Sequence, residues 1–486
     1  MPSNSGVLGG ALWNLTGSVL PLCVGVVAIP VLVAQLGVER FGLLSLAWLL
    51  VGYFSLFDFG LGRALTRLVA VRLSSGLEYE IPDLTATAMG LIRSLGLAAG
   101  VLLATLSTWV VGWLAISAAL SDEVLVGLWV LAGALPFVLL SAGWRGVLEA
   151  YGRFDLVNWI RIPLGVALFL APLVALWFSK GLVPVIVSLA VTRVLGWWFL
   201  RFMCFRLRPD LRRANGFSRA LVWPLLTFGG WMTVSNVVGP LMVYADRFLI
   251  GGLLSATAVA YYATPYEMVT RLWIISGALT GVLFPIVAAR LVADREMVRL
   301  VYWQSMKCVF MLFLPVVAIL YLFAGEVIDW WLGADFARNG QQTARLLLLG
   351  VFVNALGQVA ITVVHGAGRA DWAAKIHLLE LPFYLAALVL MAECHGIEGV
   401  ALVWLLRVAV DTVLMAILVE RLLTVTNRYL FVLTTLSAGV ILLLWLAGGV
   451  ENLAARGAVA LVMCLACAML LPRQLRGLVQ VSRGSV

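Results

Sequence analysis

The fold class this sequence predicts is an all-α polytopic membrane protein of about fourteen transmembrane helices, and three observations predict it. Of 486 residues, 63% are hydrophobic and 12% charged, with mean hydropathy +1.06. That is roughly half the charge of a soluble domain, and a single soluble core cannot hide so much apolar surface. Apolar runs follow one another across short gaps, and they are too long for barrel strands. Basic residues collect in every second gap, as they do on the cytoplasmic side of a membrane protein.

In chain order the spans fall at 8–36, 41–62, 84–117, 124–148, 156–179, 181–205, 220–243, 255–289, 303–324, 345–366, 372–393, 396–420, 428–448 and 453–471. The first has no basic leader or small-residue cleavage site and reads as a helix, not a removable signal. The second closes on Asp58-Phe59-Gly60-Leu61-Gly62-Arg63. Runs 84–117 and 255–289 exceed the ~20 residues needed to cross, so tilt or protrusion is expected. The longest gaps, 63–83 and 325–344, are too short to fold a catalytic domain.

Orientation follows from Lys and Arg. With both termini cytoplasmic, the inner gaps and tail hold twenty-three of the 33, six of them between Arg201 and Arg219. The outer gaps hold six: Arg40, Lys180, Arg247, Arg338, Arg345 and Arg456. Such a bias supports the orientation and an even helix number together. It also separates the net charge of +9 from nucleic-acid binding, because the cations form no single stripe.

The chain repeats. A shift of 216 lays Gly152-Arg153-Phe154-Asp155 on Gly368-Arg369-Ala370-Asp371, Ile160 on Ile376, Arg161 on His377 and Val147 on Val363. At 217, Leu32-Val33 meets Leu249-Ile250 and Leu36 meets Leu253. Helices 1–6 and 7–12 therefore read as parallel copies of one six-helix lobe, with helices 13–14 appended. The expected domains are 1–205, a basic cytoplasmic linker 206–219, a second lobe 220–424, and 425–486 with the tail.

Chemistry is confined to charge at membrane depth. His365, His377 and His395 form neither HExxH nor a metal cluster, no P-loop is present, and no cofactor is implied. Cys464 and Cys467 have CxxC spacing, but a surrounding helix of Ala, Leu and Met argues for packing. Enzymatic function is not expected. Arg93, Arg193, Arg271 and Arg407 lie inside spans, where an isolated charge costs at least ~2.5 kcal/mol. Each needs a partner or a cavity, and guanidinium suits a phosphate or diphosphate because it is planar, always charged and bidentate. These four are the candidate substrate-cavity residues. Asp58, Arg63, Glu267, Asp246, Asp411 and Glu380 are the candidates for gating or ion coupling.

Plainer roles compete. Glu267–Arg271 and Arg407–Asp411 are spaced i,i+4 and set to neutralise each other. Arg93 can snorkel to the cytoplasm. Asp58 ahead of Gly60, Gly62 and Arg63 also suits a helix-end salt bridge with close glycine packing.

Three blocks carry a resemblance: Asp58–Arg63, GVLEAYGRFDLVNWIRI (Gly146–Ile162), and YADRFLIGGLLSATAVAYYATPYE (Tyr244–Glu267) followed by Leu283-Phe284-Pro285. They resemble the polysaccharide-biosynthesis flippases of the multidrug/oligosaccharidyl-lipid/polysaccharide exporter superfamily. The resemblance implies two lobes around a central cavity with alternating access. It also implies, as substrate, an oligosaccharide on a polyprenyl diphosphate, moved outward across a bacterial inner membrane for O-antigen or another surface polysaccharide. The partners it implies are that lipid-linked oligosaccharide and membrane lipids, with glycan polymerase and chain-length machinery as further candidates. Competing readings are a lipid-linked peptidoglycan precursor flippase, a drug or metabolite antiporter and, from another class, a membrane glycan polymerase or ligase.

The charge bias makes a direct prediction. Reporter fusions near Ser121 and Asn339 should report the outside, and fusions near Gly76 and Asn215 the cytoplasm. Asn215 on the outside would overturn the orientation.

Overall fold

The computed structural model describes residues 4–54, 60–213, 216–291, 294–423 and 428–483, with most side chains from Leu20 onward. Among them sixteen α-helices and no strand occur. The first seven are α1 (Asn4–Leu36), α2 (Val38–Phe54), α3 (Leu61–Ser74), α4 (Ile81–Trp113), α5 (Ser121–Ala150), α6 (Phe154–Phe178) and α7 (Leu182–Leu207). The next six are α8 (Arg219–Leu253), α9 (Ala256–Thr270), α10 (Trp273–Arg290), α11 (Arg295–Leu322), α12 (Ala324–Leu332) and α13 (Ala334–Gly366). Last come α14 (Ala370–Leu423), α15 (Arg428–Gly448) and α16 (Leu453–Arg483). Eight described helices are long and apolar enough to cross a bilayer, and shorter apolar helices cover 20–36 and 434–448. The chain is an all-helical multi-pass membrane protein. Helices win because every backbone group must find its partner within the segment when lipid offers none.

The internal repeat is visible in the element boundaries. Shifted by 216, α2 covers 254–270 against α9, α3 covers 277–290 against α10, and α5 covers 337–366 against α13. Likewise α1 falls on α8 and α4 begins on α11, while α6 and α7 fall on the two halves of α14. Packing repeats with them: α3 lies on α4 and α5, α10 on α11 and α13, α4 on α5, and α11 on α13. By contacts the chain divides into compact units 1–260 and 261–486. The second copy begins by sequence at α8, yet α8 packs inside the first unit, on α2, α3 and α4.

The polar repeat has a backbone cause. Gly152 and Gly368 have φ of 70° and 73°, the left-handed region that ends a helix. Arg153 N donates to Leu148 O at 2.9 Å, and Arg369 N donates to Val364 O at 3.1 Å. The side chains have since diverged: Arg153 pairs with Asp155 at 2.8 Å, whereas Arg369 lies over the Trp372 ring and Asp371 pairs with Lys375.

Two sequence expectations need correction. The run 255–289 is not one helix: Arg271 N bonds Met268 O and Leu272 N bonds Val269 O, turns that separate α9 from α10. Hydropathy cannot register such a break, because lipid-compatible side chains continue through it. The runs 372–393 and 396–420 are the two arms of α14, divided as expected at Gly396, whose φ of 58° is not helical. Straight, its 54 residues would reach about 80 Å, far beyond any bilayer. The gap 325–344 is helical, forming most of α12 and the first turns of α13.

In the first unit, Arg208 at the end of α7 grips Asp210 at 2.7 Å and Glu78 at 2.6 Å. Its hydrogen bond holds the Asp210 carboxyl below the usual carboxylate range. Arg40 binds Glu123 at 2.7 Å, and Glu123 also accepts from Leu182 N at 2.8 Å, tying together the starts of α2, α5 and α7.

The glycine stops generate a prediction. Gly152→Ala and Gly368→Ala should each destabilise the protein by about 1 kcal/mol, the cost of a Cβ in the left-handed region. Thermal unfolding in detergent reads the loss, and Gly133→Ala, inside α5 with open space around its Cβ, should cause none.

Candidate functional sites at membrane depth

In the second unit the hairpin of α14 gathers four polar groups. Arg407 Nε donates to Glu380 Oε2 at 3.4 Å, with 14% and 10% of the side chains exposed. His377 Nε2 meets Asp411 Oδ1 at 3.1 Å, and the Arg407 guanidinium lies 5.7 Å from the Tyr384 ring centre. Sequence spacing set Arg407 against Asp411 on one helix face. The hairpin instead brings each residue a partner from the opposite arm, Glu380 for Arg407 and His377 for Asp411. Glu380 and Asp411 were candidates; His377 and Tyr384 were missed, although the shift of 216 that pairs His377 with Arg161 marked the position.

Arg271 lies in the turn between α9 and α10, not inside a helix. Its Nη2 is 3.1 Å from Glu267 Oε2, one turn back, with about half of each side chain exposed. The spacing seen in sequence thus brings this pair together. Behind the break, buried Ser276 donates to Gln358 Oε1 at 2.6 Å, and Gln358 Nε2 donates to Asn354 Oδ1 at 3.0 Å. This uncharged chain ties α10 to α13, and sequence reasoning had no signal for it.

The first unit holds the remaining candidates. Arg93 is exposed on α4 and Arg63 is exposed in the first turn of α3. Gly60, with φ 68°, starts α3, and Gly62 O lies 2.7 Å from where a Cβ on Gly146 of α5 would sit, the close glycine packing the sequence pointed to. Asp58 lies outside the described residues. Asp246 and Arg247 are both buried in α8, whereas sequence had Arg247 at an outer end. Arg247 stacks over Tyr244 at 5.7 Å, and Asp246 Oδ1 accepts from the Arg247 amide at 2.7 Å. Arg193, half-buried on α7, lines a cavity of about 240 Å³ bounded by α5, α6 and α7.

Long apolar helices built twice, with ionisable groups held among them, define a multi-pass membrane protein. The chain belongs to the polysaccharide biosynthesis protein family, whose model matches residues 31–341. A Shigella flexneri protein named for O-antigen transport is 30% identical over 420 residues, 86% of this chain and 99% of that protein. Among solved structures, the lipid II flippase MurJ in an inward closed conformation matches with TM-score 0.71 at 13% identity, covering 96% of this chain and 99% of its own. An inward-facing MATE multidrug transporter of the MOP superfamily matches with TM-score 0.70 at 16% identity, over 84% and 98%. These two likenesses establish the fold, that of the MOP transporters.

The crossed pairing is testable by a double-mutant cycle. Arg407→Leu should destabilise the protein by about 3 kcal/mol, because it strands the Glu380 carboxylate. Adding Glu380→Leu should recover most of that loss in detergent melting. Equal destabilisation by the double variant would mean the two groups do not act as a pair.

Proposed function

We propose that this chain moves polyprenyl-diphosphate-linked oligosaccharide repeat units from the cytoplasmic to the outer leaflet of a bacterial inner membrane, for O-antigen or a related surface polysaccharide. The observation that carries this reading is the likeness to an O-antigen transporter across 99% of that protein's length. The residues agree with it. Arg193 and Arg271 offer guanidinium at membrane depth, suited to a diphosphate, and the sequence carries no motif for nucleotide hydrolysis. In this reading the two lobes, 1–205 and 220–424, alternate access to a central cavity, both termini are cytoplasmic, and Arg93 and Arg407 also face the cavity. Asp58, Arg63, Glu267, Asp246, Asp411 and Glu380 gate or couple the cycle. A glycan polymerase and chain-length machinery take over the product outside.

Depleting the protein should abolish surface polysaccharide while lipid-linked repeat units accumulate, shielded from a membrane-impermeant probe applied outside spheroplasts. Accumulated units equally open to the probe would instead place the block after translocation and overturn the reading.

A further inference from the structure

The cavity that Arg193 lines is bounded by three guanidinium groups and by no described carboxylate. Arg145 comes from α5, Arg161 from α6 and Arg193 from α7. Arg145 has a loose partner in Glu149 at 3.8 Å, whereas neither Arg161 nor Arg193 has an ion pair among the described residues. Counted at 1.5 Å per residue, Arg145 lies about 8 Å from the inner end of its helix, Arg161 about 10 Å and Arg193 about 20 Å. The three cations form a ladder from the cytoplasmic rim toward mid-membrane.

The internal repeat shows what is missing there. A shift of 216 carries Arg161 to His377, and the cavity residues Leu164, Leu168 and Gly196 to Glu380, Tyr384 and Thr412. In the second copy those positions supply the carboxylate and ring that enclose Arg407, so the charge is neutralised from within. In the first copy leucines and a glycine stand in their place, and the cations face a space of about 240 Å³. Unpaired guanidinium at such depth persists only at a considerable cost in free energy. Basic pockets between transmembrane helices on the cytoplasmic side take lipid phosphate groups.

We propose that the cavity among α5, α6 and α7 binds a phosphate or diphosphate group, held by Arg145, Arg161 and Arg193. The supplier of that group, on the function proposed above, is the polyprenyl diphosphate of the substrate, taken up from the inner leaflet. The anion occupies the role that Glu380 plays in the second copy. Arg193, the deepest, binds it bidentately, and Arg145 and Arg161 draw it in from the cytoplasmic rim.

The test uses the full chain in phosphatidylcholine nanodiscs, titrated with a long-chain polyprenyl diphosphate or with inorganic pyrophosphate. The wild type should bind the lipid, and Arg193→Gln and Arg161→Gln should each weaken binding about tenfold or more. Arg193→Lys should retain only part of the affinity, because ammonium lacks the planar fork, and Arg338→Gln should bind as the wild type. Without ligand, Arg193→Gln should melt no lower than the wild type, since it removes an unpaired charge, so lost binding is not lost folding. Competition by pyrophosphate assigns recognition to the headgroup; binding of the lipid alone adds its tail to the site. Undiminished binding by the Arg161→Gln/Arg193→Gln double variant overturns the site and leaves the flippase reading intact. Arginine-dependent binding of pyrophosphate by a protein that ignores the lipid keeps the phosphate site and counts against the flippase reading.

Discussion

A guanidinium cannot shed its charge and cannot be left bare in hydrocarbon, so each arginine inside these apolar helices dictates what surrounds it. Arg407 is met by Glu380 and the Tyr384 ring, which forces the two arms of α14 together. Arg247 is buried against Tyr244 in α8. Arg271 stands in a turn where half its side chain is exposed and Glu267 is one turn away. Arg193 opens onto a cavity instead. Apolar packing is interchangeable along most of this chain, since leucine replaces leucine at little cost. The charges are what distinguish one helix face from another and one copy of the repeat from the other.

The repeat has kept its backbone and changed its charge. The C-terminal ends of five helices agree to within one residue at a shift of 216, and the two glycine stops, Gly152 and Gly368, share both φ and hydrogen bonding. Between α6 and α7 the frame holds an electropositive cavity; between the arms of α14 the same frame holds a self-neutralised cluster. Duplication lets a transporter divide labour in this way, with one copy recognising an external anion and the other storing internal charge.

Backbone breaks mark where such a frame can change shape. In the first copy α3 starts at Gly60 with φ 68°, and in the second the run is interrupted between α9 and α10. A discontinuous helix exposes backbone groups that must be satisfied locally, and transporters place such breaks at their binding regions. Arg271 sits in one of them, with the hydrogen-bonded Ser276, Gln358 and Asn354 just behind.

The fold class, the multi-pass character and the doubling were legible in the sequence, because hydropathy and the spacing of Gly-Arg-x-Asp are local and periodic properties. So was the Glu267–Arg271 pair, four residues apart on one helical turn. The partners of Arg407 and Asp411 were not, since Glu380 and His377 are 27 and 34 residues away and meet them only after the chain turns at Gly396. Nor was the break at Arg271, where apolar side chains run on unchanged while the hydrogen bonding shortens to three-residue turns. Arg145 and Arg161 read as loop cations by position, and only the packing of α5, α6 and α7 brings them to Arg193 around one cavity. Sequence alone determined which groups had to be kept out of lipid. Tertiary structure decided how, because ion pairs act over a few ångströms of space and not over distance along the chain.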